Sequence, residues 1–189
     1  MNFSEIIVSA DFDLFLFLNG MHNRIFDWFM FYISYKYTWI PMYLFVLVLL
    51  FKKYKLRLGF IIFVFFIFLI FLSDQTSVHL FKNVFQRYRP CHHPDLYGMV
   101  HYLSLPGSKF GFVSSHAVNA SAFAFLSIKL LNNKIYTYLI IFWVVLICYS
   151  RIYLGVHFPG DVIIGAGWGL FMGILVWGIL KKIINSKTS

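Results

Sequence analysis

Lys82, Arg89 and Arg151 supply fixed positive charge, His116 and His157 supply imidazoles, Ser114 and Ser115 supply hydroxyls, and Asp161 supplies a carboxylate. They fall in three short stretches, KNVFQRYRP (82–90), VSSH (113–116) and SRIYLGVHFPGD (150–161), each at the end of an apolar, membrane-length segment. Cations that grip an oxyanion, a histidine that attacks and a second that moves a proton are what the handling of a phosphate ester requires. Each stretch alone also has a plainer reading. Lys82 and Arg89, seven residues apart, would share one face of a helix about two turns long, with Gln75, His79 and Gln86 on the same stripe. They could converge on one anion or snorkel toward headgroups. Ser114 and Ser115 open a helix, where free N–H groups bind anions and where serine also serves as a cap. His116 enters a membrane segment, and an ionisable group there wants a partner or a task. Pro159 fits a first helical turn, which puts Asp161 just inside a helix with its carboxylate near His157. A carboxylate on one imidazole nitrogen fixes the tautomer and leaves the other as a nucleophile, although the same pair could be merely a satisfied interfacial contact.

The elements that must position these groups are apolar helices. Of 189 residues 60% are hydrophobic and 12% charged, and the mean hydropathy is +0.77. The bilayer is the natural solvent for such a chain. We expect an all-α integral membrane helical bundle in one domain, 1–189, with an interfacial N-terminal segment (1–36) and a transmembrane core (38–181). Residues 11–35 mix aromatic residues with Asp11, Asp13, Asn19, Asn23, Arg24 and Asp27, the pattern of a helix lying at the interface. Five spans follow, near 38–51, Leu58–Leu72, 115–131, 135–150 and 161–180. A basic turn (Lys52, Lys53, Lys55, Arg57) separates the first two, and Asn132-Asn133-Lys134 separates the third and fourth. Residues 90–113, with Pro90, Pro94, Gly98, Pro106, Gly107 and Gly111, read as a loop. Gly165, Gly169 and Gly173 recur every four residues and face a similar ridge, Ala117, Ser121 and Ala124, the pattern of a close helix seam that would bring His116 beside His157.

The net charge of +9 comes without a basic stripe or nucleic-acid motif, so it reads as membrane topology and excludes nucleic acid as a partner. Lys52, Lys53, Lys55, Arg57, Lys129, Lys134, Lys181, Lys182 and Lys187 fall in one set of loops and tails. Arg24, Lys36, Lys82, Arg87, Arg89, Lys109 and Arg151 fall in the other. The first set is the richer, nine against seven, and three of the seven are the motif cations Lys82, Arg89 and Arg151. It is expected in the cytoplasm, with the N-terminus and all three polar stretches outside. Glu5, Asp11 and Asp13, with no basic n-region, argue against a cleavable signal. Cys91 in the loop and Cys148 in an apolar run offer neither a disulfide nor a metal-ligand spacing. His92, His93 and His101 read as loop residues ahead of a metal site.

Taken together, Lys-x6-Arg-Pro, then Ser-x-His, then Ser-Arg-x5-His-x3-Asp resembles the type 2 phosphatidic acid phosphatase (PAP2) family, related to vanadium haloperoxidases. The motif residues here are Lys82, Arg89, Pro90, Ser114, Ser115, His116, Ser150, Arg151, His157 and Asp161. The family's middle motif usually reads Pro-Ser-Gly-His; Val113 and Ser115 replace its Pro and Gly. Longer members carry another N-terminal span, which this chain is expected to lack. The resemblance implies that His157 attacks phosphorus to form a phosphohistidine. It also implies that Asp161 orients His157, and that His116 protonates the leaving oxygen and then activates water. Lys82, Arg89, Arg151, Ser114 and the Ser115 N–H would hold the phosphate, with no metal and no cofactor. It further implies a lipid phosphatase of the bacterial cytoplasmic (inner) membrane, active site toward the periplasm, with no obligate protein partner. The look is closest to bacterial lipid A 4'-phosphatases; undecaprenyl diphosphate (a polyprenyl phosphate) and phosphatidylglycerophosphate, a phospholipid, are alternative substrates. A non-catalytic lipid-binding or transport protein is the rival from another class, but it would have no use for two histidines and an aspartate at these spacings. A soluble-substrate acid phosphatase conflicts with the membrane-length spans.

Overall fold

The computed structural model describes residues 2–103 and 107–188, so Pro106 lies outside the described residues. Among them there is no strand, and the backbones of the two segments flanking the outer loop pair at an isolated antiparallel bridge between Tyr88 and Phe110.

The N-terminal segment is two helices where the sequence reading expected one: α1 (Phe3–Gly20) and α2 (Arg24–Ser34). The break falls at Met21–Asn23 because Asn23 caps α2, its Oδ1 accepting from the Ile25 and Phe26 amides at 3.1 and 3.0 Å. Neither helix only skirts the bundle. Phe15 is fully buried, and the Asn19 side chain donates to the carbonyls of His101 (2.9 Å) and Tyr153 (2.8 Å) and accepts from the His101 amide (2.8 Å). One amide thus ties α1 to the outer loop and to the last turn of the helix that ends at Tyr153.

After a 3₁₀ turn (Lys36–Trp39), α3 runs Ile40–Thr76 and is broken at Lys55 (φ 59°, ψ 175°). The two arms fold back on each other. A Cβ on Gly59 would lie 2.6 Å from the Phe51 ring, although residues eight apart on a straight helix are about 12 Å apart. Tyr43 and Phe66, on opposite sides of the break, both pack against Phe123 with ring centroids at 4.9 and 5.2 Å. The basic turn and the first two expected spans are therefore located where the sequence puts them.

The second arm continues as a π-helical turn (Ser77–Lys82) and a last helical turn, α4 (Asn83–Phe85), and stops at Gln86 in a left-handed conformation (φ 46°). The expected two-turn stripe through Lys82, Gln86 and Arg89 is therefore wrong: the widened turn and the early stop leave Arg89 in extended backbone. The chain then makes 3₁₀ turns at Pro90–His92 and Pro94–Leu96. It returns to the bundle with Arg89 N on Lys109 O (3.2 Å) and Gly111 N on Arg87 O (2.9 Å).

Helix α5 (Ser115–Leu131) is the central post, packed on α3, on α6 (Lys134–Tyr153) and most extensively on α7 (Pro159–Thr188). Its alanines admit neighbours closely, and the glycines of α7 complete the fit. A Cβ at Gly165 would stand 2.9 Å from the Ser114 carbonyl, one at Gly173 2.9 Å from the Phe125 ring, and one at Gly169 would overlap the Val118 carbonyl. The glycine side of the expected seam is present and meets Ala117, but Gly169 and Gly173 meet Val118 and Phe125 and not the expected Ser121 and Ala124. Asn132, left-handed at φ 50°, ends α5, and Asn133 caps α6 (Lys134–Tyr153). Gly155 (φ 71°) turns the chain beneath the His101 carbonyl before α7 (Pro159–Thr188) begins at its proline. Among the described residues three helical stretches are long and apolar enough to cross a membrane: Lys36–Phe85, broken at Lys55, Lys134–Tyr153 and Pro159–Lys187. Helix α5, at 17 residues, sits among them.

Candidate active site

The three polar stretches meet at one end of the bundle. Lys82, the last residue of the π turn, donates from Nζ to Ser115 Oγ at 2.6 Å, and Ser115 Oγ also pairs with Ser77 Oγ at 2.8 Å. Ser115 is the first residue of α5. Its hydroxyl therefore holds a cation that a glycine at this position would leave loose. Ser114 is the helix cap position, but its hydroxyl makes no capping bond; buried, it has no partner among the described residues. The bland capping role is not realised, and the hydroxyl is free for a ligand.

Arg89 is buried and held by its surroundings: Nε donates to Ser108 O (2.7 Å) and Nη1 to Val156 O (3.2 Å). The same Nη1 lies 3.2 Å from His157 Nε2. A guanidinium has no lone pair to offer, so Nε2 is the acceptor and the proton of the neutral ring sits on Nδ1. That nitrogen faces Asp161 Oδ2 at 3.6 Å and makes no formed hydrogen bond among the described residues, with the Gly111 backbone also lying against the ring. The expected His157–Asp161 pair is thus in place, at a distance longer than a formed hydrogen bond. Burial first, then the charges of Arg89, Arg151 and Lys82, hold the His157 imidazole well below its usual range. It is therefore neutral at pH 7, the form in which Nε2 keeps its lone pair.

Arg151 is buried; Nη1 donates to Ser34 Oγ while Nε has no partner among the described residues. Its carbonyl accepts the amides of Val156 (3.2 Å) and His157 (3.3 Å), so one residue carries a cation and shapes the histidine loop. His116, in the first turn of α5, lies within electrostatic reach of Arg151, His157, Lys82 and Arg89. Ser150, by contrast, turns its hydroxyl back to Ile147 O (2.7 Å) and has no part in the cluster.

Two further residues belong to the site. Arg87 donates to Asp161 Oδ1 at 2.7 Å and to Asp11 Oδ2 at 2.6 Å. Reading the sequence assigned Arg87 only to topology and Asp11 only to the interface. The signal was there: Asp11 is a charge on a helix with Phe12, Phe15 and Leu16 beside it, and such a charge wants a partner. Of the loop histidines, His101 pairs with Asp27 (2.8 Å) and stacks on His22 at 3.7 Å between centroids, a structural clasp. Among the described residues no three His, Cys, Asp or Glu side chains are grouped to hold a metal ion.

Beside the cluster lies a cavity of about 800 Å³ between the two arms of α3, α5 and α6. Its walls are apolar, with Tyr43, Leu47, Phe66, Ile70 and Phe123, whereas Ser115, His116, Asp74 and Lys36 supply the polar groups. Trp39 to Leu50 along one wall spans about 16 Å at the helical rise, enough for an acyl chain of a dozen carbons. A ligand with its tail here would present its head to His116.

Comparison with known proteins agrees with this arrangement. The PAP2 superfamily profile matches residues 58–185. The chain is 38% identical to a lipid A 4'-phosphatase of Porphyromonas gingivalis over 176 residues, covering 93% of this chain and 75% of that one. It is 32% identical to a lipid A 4'-phosphatase of Bacteroides thetaiotaomicron over 181 residues, covering 95% and 80%. Among solved structures, a transmembrane PAP2-type phosphatidylglycerolphosphate phosphatase from Bacillus subtilis superposes with a TM-score of 0.71 at 25% identity, over 94% of this chain and 88% of that one. The chain belongs to the PAP2 superfamily and is a membrane lipid phosphatase of that type.

Proposed function

We propose that the protein removes the 4'-phosphate of lipid A on the periplasmic side of a bacterial inner membrane, through a phosphohistidine at His157. The observation that carries the mechanism is the bracketing of one imidazole. Nε2 faces a phosphate-binding guanidinium at 3.2 Å and Nδ1 faces a buried carboxylate. The substrate choice rests on the two relatives named as lipid A 4'-phosphatases, matched over most of this chain. The periplasmic orientation rests on the excess of Lys and Arg at the opposite end of the bundle.

In this reading an acyl chain of the lipid occupies the cavity and the phosphate enters among Lys82, Arg89, Arg151, Ser114 Oγ and the Ser115 N–H. Arg89 transfers from Nε2 to a non-bridging oxygen, which uncovers the lone pair and neutralises the charge that grows on the phosphoryl group. Nε2 attacks phosphorus, the bond to the lipid oxygen breaks, and His116, which takes up a proton as the phosphate dianion enters, gives that proton to the oxygen. Asp161 balances the positive charge on the phosphorylated ring. His116, now neutral, takes a proton from water, whose oxygen attacks phosphorus; phosphate leaves and His157 is restored. Three cations around one oxyanion supply the charge that a metal supplies elsewhere, and activity is expected to persist in EDTA.

Phosphatidylglycerophosphate is the second reading, favoured by the fold match to the Bacillus subtilis enzyme. Phosphate release by detergent-purified protein, with EDTA, from lipid A, phosphatidylglycerophosphate and undecaprenyl diphosphate separates these substrates. His157→Ala is expected to lower release by about 10³-fold or more and to abolish an acid-labile phosphoenzyme. Full activity in that variant would overturn the mechanism.

A further inference from the structure

Asp161 is completely buried, and a carboxylate so placed is costly unless a cation balances it. The balancing cation is Arg87, whose fork is shared between Asp161 Oδ1 (2.7 Å) and Asp11 Oδ2 (2.6 Å). The guanidinium also lies 4.2 Å from the ring centroid of Phe158, the neighbour of His157, and that ring stacks on Phe12, the neighbour of Asp11, at 4.8 Å. Asp11 does more than hold Arg87: its Oδ1 accepts the Gly160 amide at 2.8 Å, gripping the first turn of α7 one residue before Asp161. A Cβ at Gly160 would stand 2.9 Å from Asp11 Oδ2, so a larger residue there would displace this carboxylate. With Oδ1 of Asp161 drawn to Arg87, Oδ2 is left to accept the Phe158 amide (3.0 Å) and to face His157 Nδ1.

We propose that Asp11 and Arg87 are positioning residues that act in series, α1 setting Arg87 and Arg87 setting Asp161, so that His157 presents Nε2 to phosphorus. The inference rests on the phosphohistidine reading. It gives α1, outside the three motif stretches, a task in the chemical step. Neither residue need touch the substrate, so their loss should slow phosphoryl transfer and leave substrate binding alone.

The test is single-turnover phosphoenzyme formation and KM, with lipid A as probe, on monodisperse detergent-purified full-length protein. Asp11→Asn keeps an oxygen for Gly160 but turns the other atom into a donor that Arg87 cannot use. It should slow phosphoenzyme formation about 10-fold with KM within about 2-fold, and Asp11→Glu should recover part of the rate. Arg87→Gln should slow it about 100-fold, and Arg87→Lys should rescue little because an ammonium lacks the fork. The double variant Asp11→Asn/Arg87→Gln should match Arg87→Gln within about 2-fold, since Asp11 acts through Arg87. Should Arg87→Gln fail to fold, Asp11→Asn against Asp11→Glu decides. Unchanged transfer rates, a loss confined to KM, or additive losses in the double variant would each overturn the proposal. His157→Ala separates the two readings. If it stays active the phosphohistidine reading falls. If it is dead while Asp11→Asn and Arg87→Gln keep full rates, only the positioning role falls.

Discussion

Nε2 of His157 can attack only while unprotonated, and the surroundings of this ring decide at what pH that ends. Burial and three neighbouring cations disfavour the imidazolium, so the neutral form survives to lower pH than in a free histidine, whose value is 6.5. Since kcat/KM reports ionisations of the free enzyme and free substrate, its acid limb is expected below pH 6.5. The second ionisation of a phosphate monoester, at about pH 6, falls on the same side. A pH–rate profile with the limb centred above histidine's ordinary value would show that the cations do not act on this ring as their positions imply. The Ser115 hydroxyl illustrates the same economy of contacts. Where the family's motif usually has glycine, it pairs with Lys82 and Ser77 and orders a cation before any phosphate arrives.

At the scale of elements, the site depends on how closely α7 approaches α5. Gly165, Gly169 and Gly173 let the α7 backbone lie against Ser114, Val118 and Phe125, and the same approach sets Asp161 O on the Ser114 amide at 3.1 Å. Between helices in lipid, packing and not hydrophobicity supplies the attraction, so a lost fit has no substitute. Gly169→Leu, which pushes a side chain into the Val118 carbonyl, is expected to cost about 3 kcal/mol or more. It should lower the unfolding temperature in detergent together with activity. Gly167→Leu, at a position with nothing within 4 Å of a Cβ, is the matched control and should change neither. Equal stability of the two variants would remove the seam as the device that sets the site.

For the molecule as a whole, a cavity of about 800 Å³ adjoins the polar cluster through Ser115 and His116. Lipid tails and a water-soluble phosphate ester should therefore respond differently to its filling. Leu47→Trp, in the cavity wall away from the cluster, is expected to raise KM for lipid A about 10-fold while changing p-nitrophenyl phosphate hydrolysis by less than about 2-fold. Equal effects on both substrates would mean that the tails lie elsewhere.

The sequence by itself determined the membrane helices, the basic turn and the glycine seam, and it singled out as candidates eight side chains that the fold gathers at one end of the bundle. Each is announced locally, by hydropathy, by residue spacing or by a charge where charge is costly. It misled at 82–89, because a regular helix was assumed where a π turn and a left-handed Gln86 redirect the chain. Only the tertiary structure decided which nitrogen of His157 faces Arg89, that the Ser114 hydroxyl makes no capping bond, and that Asp11 reaches Arg87 from 76 residues away. Contacts of that kind depend on helix ends meeting in space, and no local pattern of residues encodes where distant ends will meet.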